Sequence, residues 1–305
     1  MKLKKTLLFF VLILLAFLSK AQYSDTLTQK RSIDVMSYKD NLFFEQTPGL
    51  FKHLAKVPDD IVQLAVSPFK KNNWIVLTGI TAATVVMANN DQQITDWVIR
   101  KSEKAGINAN TSYKDIVKFG ETRILKIPLN INTAFYQIGE GGTSILLASG
   151  LWIAGKIQNN PRDIQTAYDL TETFVSSGII SQIIKRTTGR ESPFKATVPG
   201  GRWRPFPSFA SYQNNTSSYD AFPSGHLTTI TATFTVLHYN YPEKKWITPL
   251  GIGIMALSSW AMINTEVHWI SDYPLALACG YITGKVTSMR HNKKHSLKCV
   301  NPANL

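Results

Sequence analysis

Cysteine is nearly absent. Cys279 and Cys299 are the two in 305 residues, too few for the disulfide framework of a small secreted scaffold. Cys279 falls in an apolar helical stretch and reads as a small core residue. Charge is sparse too: 17% of residues are charged against 44% apolar, a balance that excludes a disordered chain. Acidic residues are the scarcer sign, 20 against 33 Lys and Arg, for a formal net charge of +13. That excess suits a partner bearing phosphate. No basic stripe interleaved with aromatics and no zinc-finger spacing occurs, so no nucleic acid partner is expected. Alternating strand patterns are scarce and no internal repeat is present.

What the chain has in quantity is apolar helical sequence. Lys2, Lys4 and Lys5 precede an unbroken apolar run from Leu7 to Leu18, and Ser19-Lys20-Ala21 supplies small residues before Gln22. This is the layout of a secretory signal peptide over 1–21. The run is short for a spanning helix, which needs roughly 20 apolar residues. Residues 22–72 are polar and mixed and read as an N-terminal arm. From there an uncharged run from Trp74 to Met87 is followed by helical segments near 135–156, 166–185, 223–240, 246–263 and 272–288. Asn159-Asn160-Pro161, the Gly/Pro/Ser-rich stretch from Thr188 to Asp220, and Asn240-Tyr241-Pro242 separate them. Between 91 and 134, Ile94, Trp97, Val98, Ile116 and Val117 have helix-like spacing. The reading is an all-α bundle of about six main helices, with a basic tail over 292–305. Several segments are short between charges and contain Thr, Gln or Glu, so buried helices of a soluble bundle fit as well as membrane helices do.

Three clusters carry chemistry. Lys185-Arg186-Thr187-Thr188-Gly189-Arg190-Glu191-Ser192-Pro193 ends one apolar helix. Pro223-Ser224-Gly225-His226 opens the next, and His268-Trp269-Ile270-Ser271-Asp272 opens the last. Ser-Gly-His at a helix start turns free backbone N–H groups and the positive end of the dipole toward an anion. Gly225 lets that anion approach the backbone, Ser224 adds a donor, and His226 sits beside it with a proton to give. His268 and Asp272, four apart, share a face if helical. Asp272 can then accept one imidazole N–H and leave the other nitrogen as nucleophile. Lys185 supplies a cation for phosphoryl oxygens.

In this order and at these separations the clusters resemble the three signature motifs of the phosphatidic acid phosphatase type 2 and vanadium haloperoxidase superfamily: Lys-x6-Arg-Pro, Pro-Ser-Gly-His and Ser-Arg-x5-His-x3-Asp. The resemblance covers about 73–290 and implies a helical phosphatase domain over 73–291. It also implies roles: Lys185, Ser224 and Gly225 bind phosphate, His226 is general acid, His268 is nucleophile and Asp272 orients it. Two positions depart from the pattern. The first motif's arginine falls on Ser192, with Pro193 kept, and the third motif's Ser-Arg falls on Ala261-Met262. A charged hydrogen bond contributes roughly 1.5–3 kcal/mol, so each loss is worth about tenfold to a hundredfold. Arg190, two positions before Ser192, is the nearest candidate to replace one of them, with Arg186, Arg202 and Arg204 close by.

The expectation is an exported, metal-independent phosphatase of the cell envelope, acting on the outer face through a phosphohistidine. Its partner would be a phosphorylated membrane lipid or a small phosphate ester, with membrane association. No cofactor is expected; vanadate belongs to a peroxidase alternative that the missing arginines disfavour. A further alternative is an envelope protein that binds phosphorylated lipids without cleaving them.

Overall fold

Asn160 and Gly189 bound the longest helix among the described residues, and the reason is local. In the computed structural model, which describes residues 49–70, 73–119 and 122–298, the Asn160 side chain accepts the Arg162 N–H, Pro161 fills the first helical position, and Gly189 closes the helix in the left-handed conformation at φ +60. Asn and Pro suit a helix start and glycine a helix end. The signal-peptide reading of 1–21, residues 22–48 of the arm and the end of the tail from 299 onward lie outside the described residues.

In chain order the elements are α1 (Leu50–Leu54), α2 (Val57–Val66), α3 (Trp74–Ala88), α4 (Asp91–Lys104), β1 (Tyr113–Phe119), β2 (Thr122–Pro128), α5 (Ile131–Ile138), α6 (Gly141–Ile157), α7 (Pro161–Thr188), α8 (Phe209–Asn214), α9 (Gly225–Asn240), α10 (Ile247–Asn264) and α11 (Tyr273–Lys298). Among the described residues four short 3-10 turns join them. Contacts divide the chain into two units, Thr47–Met289 and a second made of Met1–Gln46 with Arg290–Leu305. The architecture below belongs to the first.

The all-α class holds, and α3, α6, α7, α9, α10 and α11 fall on the six expected segments. The structure corrects the stretch between 91 and 134. Ile116 and Val117 lie in a strand, and β1 and β2 pair antiparallel from Tyr113↔Pro128 to Phe119↔Thr122. Here the spacing of apolar residues is too short to separate the two periods, and pairing across the turn decides. The expected segment at 135–156 is two helices, broken at Gly139-Glu140.

Helix α7 runs through the centre, packed by α1, α2, α6 and α9. It buries polar residues along its length, among them Gln165, Asp169, Glu172, Ser176 and Ser181. The bundle therefore rests on polar contacts as well as apolar packing. Ser176 donates to Asp60 of α2 at 2.9 Å and Asn240 donates to Asp169 at 2.8 Å. Helix α9 buries Thr228, Thr231 and Thr235 because each hydroxyl donates to the carbonyl four residues back, a self-contained solution for a polar group in a helix. Helices α9 and α11 meet at an unusually close crossing. A Cβ on Gly280 would lie 2.4 Å from the Thr228 carbonyl oxygen, and one on Gly284 would lie 2.8 Å from that of Ala232. Small residues four apart let the two backbones touch. These are the helices that follow the second and third motif clusters.

Candidate active site

The site forms where the ends of α7, α9 and the segment before α11 converge. Lys185 lies in the last turn of α7 and is buried. A Cβ on Gly225 would stand 3.7 Å from its Nζ, so the ammonium lies over the first turn of α9. His226 follows on that turn. Its ring centroid is 5.7 Å from that of His268, with the planes at 73°. On its other side His226 meets Tyr136 of α5 at 4.8 Å. Gly139 makes room for this, since a Cβ there would be 2.9 Å from His226 Cβ. The structure thus gathers Lys185, Gly225, His226 and His268.

Ser224 is fully buried and serves as the N-cap of α9, accepting the Leu227 N–H, with its hydroxyl 3.5 Å from Met262 Sδ. Its backbone N–H donates to the Asp272 carbonyl at 3.2 Å, stitching the second cluster to the third. In this arrangement its oxygen is taken by the helix it starts.

His268 and Asp272 are close, though not as partners on one helical face. His268 lies in an irregular segment, Asp272 closes a 3-10 turn, and α11 begins only at Tyr273. His268 Nδ1 is 2.8 Å from the Ala221 carbonyl oxygen and 3.6 Å from Asp272 Oδ2. A carbonyl only accepts, so Nδ1 carries the proton and Nε2 keeps its lone pair. The expected orienting bond is therefore made by a backbone carbonyl. Asp272 Oδ2 instead takes the Trp269 N–H at 2.7 Å, and Oδ1 takes Arg190.

Arg190, the candidate replacement for a missing arginine, has its guanidinium committed inside the protein. Nη1 donates to Ser271 at 2.7 Å and to Asp272; Nη2 donates to Asp91 and, at 2.7 Å, to the Gly200 carbonyl. The planar group lies between the rings of Trp203 and Trp269, 4.8 and 5.5 Å from their centroids. Both flanking carboxylates are buried. Of the other arginines, Arg204 pairs with buried Glu191 at 2.6 Å and Arg186 stacks on Tyr212 at 4.1 Å. Ser192 and Met262 are both buried, so the two vacated arginine positions are filled by uncharged core.

Two functional neighbours escape a reading of the sequence. Asp91 heads α4 and accepts from the Ser271 backbone and hydroxyl at 3.1 and 2.6 Å, as well as from Arg190. Its partners are 99 and 180 residues away, and its only local mark is an Asn-Asn-Asp turn. Asp220 stands 3.5 Å from Lys185; nothing but its place three residues before Pro223 distinguishes it.

The electrostatics follow from burial. His268 is pushed down to about 3, first by burial and then by the nearby Lys185 ammonium. His226 keeps part of its surface open, and it too is pushed down to about 3, by burial first, then His268 and Lys185. Both imidazoles are therefore neutral in the resting site. Asp91 and Asp272 are each raised to about 6 by burial, against the opposing pull of Arg190. Two carboxylates share one guanidinium, so they titrate as a pair.

A largely helical bundle thus brings two neutral histidines and a lysine to one helix N-terminus, an arrangement suited to an anion. Residues 167–296 match the family model described as PAP2 superfamily. The chain is also similar to a lipid A 1-phosphatase of Rhizobium johnstonii, 29% identical over 111 residues, which is 35% of this chain and 41% of that protein. The match thus spans well under half of that relative's length. No solved structure matches.

Proposed function

We propose that the protein is a phosphatase of the cell envelope that hydrolyses a phosphate or diphosphate ester of a membrane lipid through a phosphohistidine on His268. The observation that carries this reading is the meeting of the His226 and His268 rings at 5.7 Å, with Lys185 held over the same helix start. His268 Nε2, whose lone pair the Ala221 bond leaves free, attacks phosphorus as the ester P–O bond breaks. His226 protonates the leaving oxygen. Its resting pKa is too low for an acid, and the bound phosphate supplies the negative charge that raises it. Water then attacks the phosphohistidine, giving its proton back to the now neutral His226 as the P–Nε2 bond breaks, and inorganic phosphate leaves. Lys185 and the N–H groups at the start of α9 balance charge on the phosphoryl oxygens. Ser224 and Gly225 form that start. Asp272 holds the His268 segment through Trp269, and Arg190 holds Asp272. A histidine nucleophile needs no metal for its activation. The lipid substrate is supported by the similarity to a lipid A 1-phosphatase and by the apolar residues exposed on α3, α6 and α10.

The test is release of inorganic phosphate from phosphatidic acid or an undecaprenyl diphosphate in vesicles, in the presence of EDTA. Release lost in His268→Ala, with acid-labile phosphate trapped on the parent protein, is expected. A parent that binds these lipids, cleaves none, and binds equally well as His268→Ala overturns it. That outcome would establish the second reading, a non-cleaving phospholipid binder, which the uncharged Ser192 and Met262 and the internally committed Arg190 favour.

A further inference from the structure

A phosphate site with one uncommitted lysine should not spend that lysine on a carboxylate, yet Asp220 Oδ2 lies 3.5 Å from Lys185 Nζ. The backbone holds Asp220 there. It forms an isolated bridge with Arg190, and the next residue, Ala221, donates its N–H to the Arg190 carbonyl at 3.0 Å while its own carbonyl accepts from the nucleophile's ring at 2.8 Å. The groups that feel Asp220 come from every neighbouring element: Lys185 from α7, Tyr136 from α5, Tyr212 from α8, and His268. The charges close to the site then sum to little. Lys185 faces Asp220, Arg190 faces Asp91 and Asp272, and the two positions where an arginine is expected hold Ser192 and Met262.

We infer that Asp220 determines which ionic form of phosphate the site takes: its carboxylate selects a phosphate group that keeps one proton, a monoanion, over the full dianion. The inference rests on the site being a phosphate site, as proposed above. A carboxylate only accepts hydrogen bonds. A P–OH can donate to it while a P–O⁻ of the same group meets Lys185 and the first turn of α9. A dianion offers Asp220 no proton and adds repulsion. Because a phosphate monoester loses its second proton near pH 6, binding at neutral pH takes up about one proton per phosphate, and the substrate class is a phosphate that is singly charged when held.

The experiment measures inorganic phosphate binding to the full chain by calorimetry between about pH 6 and pH 9, together with hydrolysis of a soluble phosphate ester. Parent affinity is expected to fall about tenfold per pH unit above the second ionisation of phosphate, the slope of one linked proton. Asp220→Asn should flatten that slope and bind phosphate about tenfold or more tightly near pH 8. Asp220→Ser, checked for an unchanged near-ultraviolet spectrum, should do the same. Parallel slopes in parent and both variants, or weaker binding in both variants at high pH, overturn the inference while hydrolysis by the parent leaves the phosphatase reading standing. A parent that neither binds phosphate nor hydrolyses any ester sinks both.

Discussion

Arg190 shows how a side chain can matter to a site without touching what the site binds. Its four terminal N–H bonds join Asp91 at the head of α4, the Gly200 carbonyl, Ser271 and Asp272. Removing one member of a buried ion cluster leaves the others uncompensated, at a cost of about 3–5 kcal/mol. Arg190→Met should lower stability by that amount in urea unfolding, and should lower kcat by at least tenfold because Asp272 and the Trp269 backbone lose their anchor. A variant of near-parental stability would show the cluster to be incidental. The histidines give a pH signature. His268 titrates near 3 in the folded chain against 6.5 for an ordinary histidine, so between those values the unfolded chain binds a proton that the folded site refuses. Stability is therefore lost as pH falls through this window. Asp91 and Asp272, raised to about 6, act with the opposite sign but are common to parent and variant. His268→Gln should accordingly lose less stability than the parent between pH 6.5 and pH 3, by on the order of a few kcal/mol. Equal acid limbs in a two-pH denaturation series would contradict the buried, neutral ring.

At the level of elements, the polar ends of α7 and α9 do the positioning. Gly189 turns the chain so tightly that a Cβ there would overlap the Arg204 carbonyl, at 1.8 Å, and this turn delivers Arg190 to its carboxylates. The α9–α11 crossing sets the distance between the segments bearing His226 and His268. Gly280→Val would push a branched side chain into the Thr228 carbonyl. Overpacking of this kind typically costs about 1–3 kcal/mol, and here it should also separate the two rings, so that kcat falls further than stability alone explains. Thermal unfolding and single-turnover rates on the same preparation test this; unchanged rates in a destabilised variant would unlink the crossing from the site. The helices were legible in the sequence because long apolar-rich runs bounded by Asn-Pro, Gly and Pro-Ser have few alternatives, and Lys185, Gly225, His226 and His268 were legible because their spacing is written in the chain. What escaped was written in no local pattern. The Ala221 carbonyl that holds His268 has no side-chain identity. Asp91 reaches Ser271 across 180 residues. The β1–β2 hairpin has apolar spacing too short to distinguish from a helix, and Arg190 looked available only because its partners lie on other elements.

Across the whole molecule, the distribution of apolar surface is the feature that a site-centred account leaves over. None of α3 is buried, and its Trp74, Ile75 and Val85 are exposed, as are Leu146, Trp152 and Ile153 of α6 and Leu250 and Leu257 of α10. Helix α10, Ile247–Asn264, is long and apolar enough to cross a membrane. Exposed apolar surface spread over three long helices exceeds what a water-facing bundle needs, and patches of this kind mark interaction surfaces. A bilayer, the partner implied by the lipid substrate proposed above, would suit helices with an apolar outer face. It would also bring a lipid phosphate to a site whose own cationic charge is low, so that local concentration compensates for weak electrostatic capture. Leu146→Lys with Ile153→Lys tests this, since exposed substitutions of this type shift stability by only about 0.5 kcal/mol, while each lysine opposes burial in hydrocarbon. The double variant should partition into phospholipid vesicles about tenfold or more weakly than the parent and cleave vesicle-borne substrate correspondingly more slowly. Its turnover of a water-soluble phosphate ester should be unchanged, because α6 carries none of the reacting groups. Equal partitioning of parent and variant would mean that this face meets something other than lipid, and a parallel loss on the soluble ester would place the damage in the site itself.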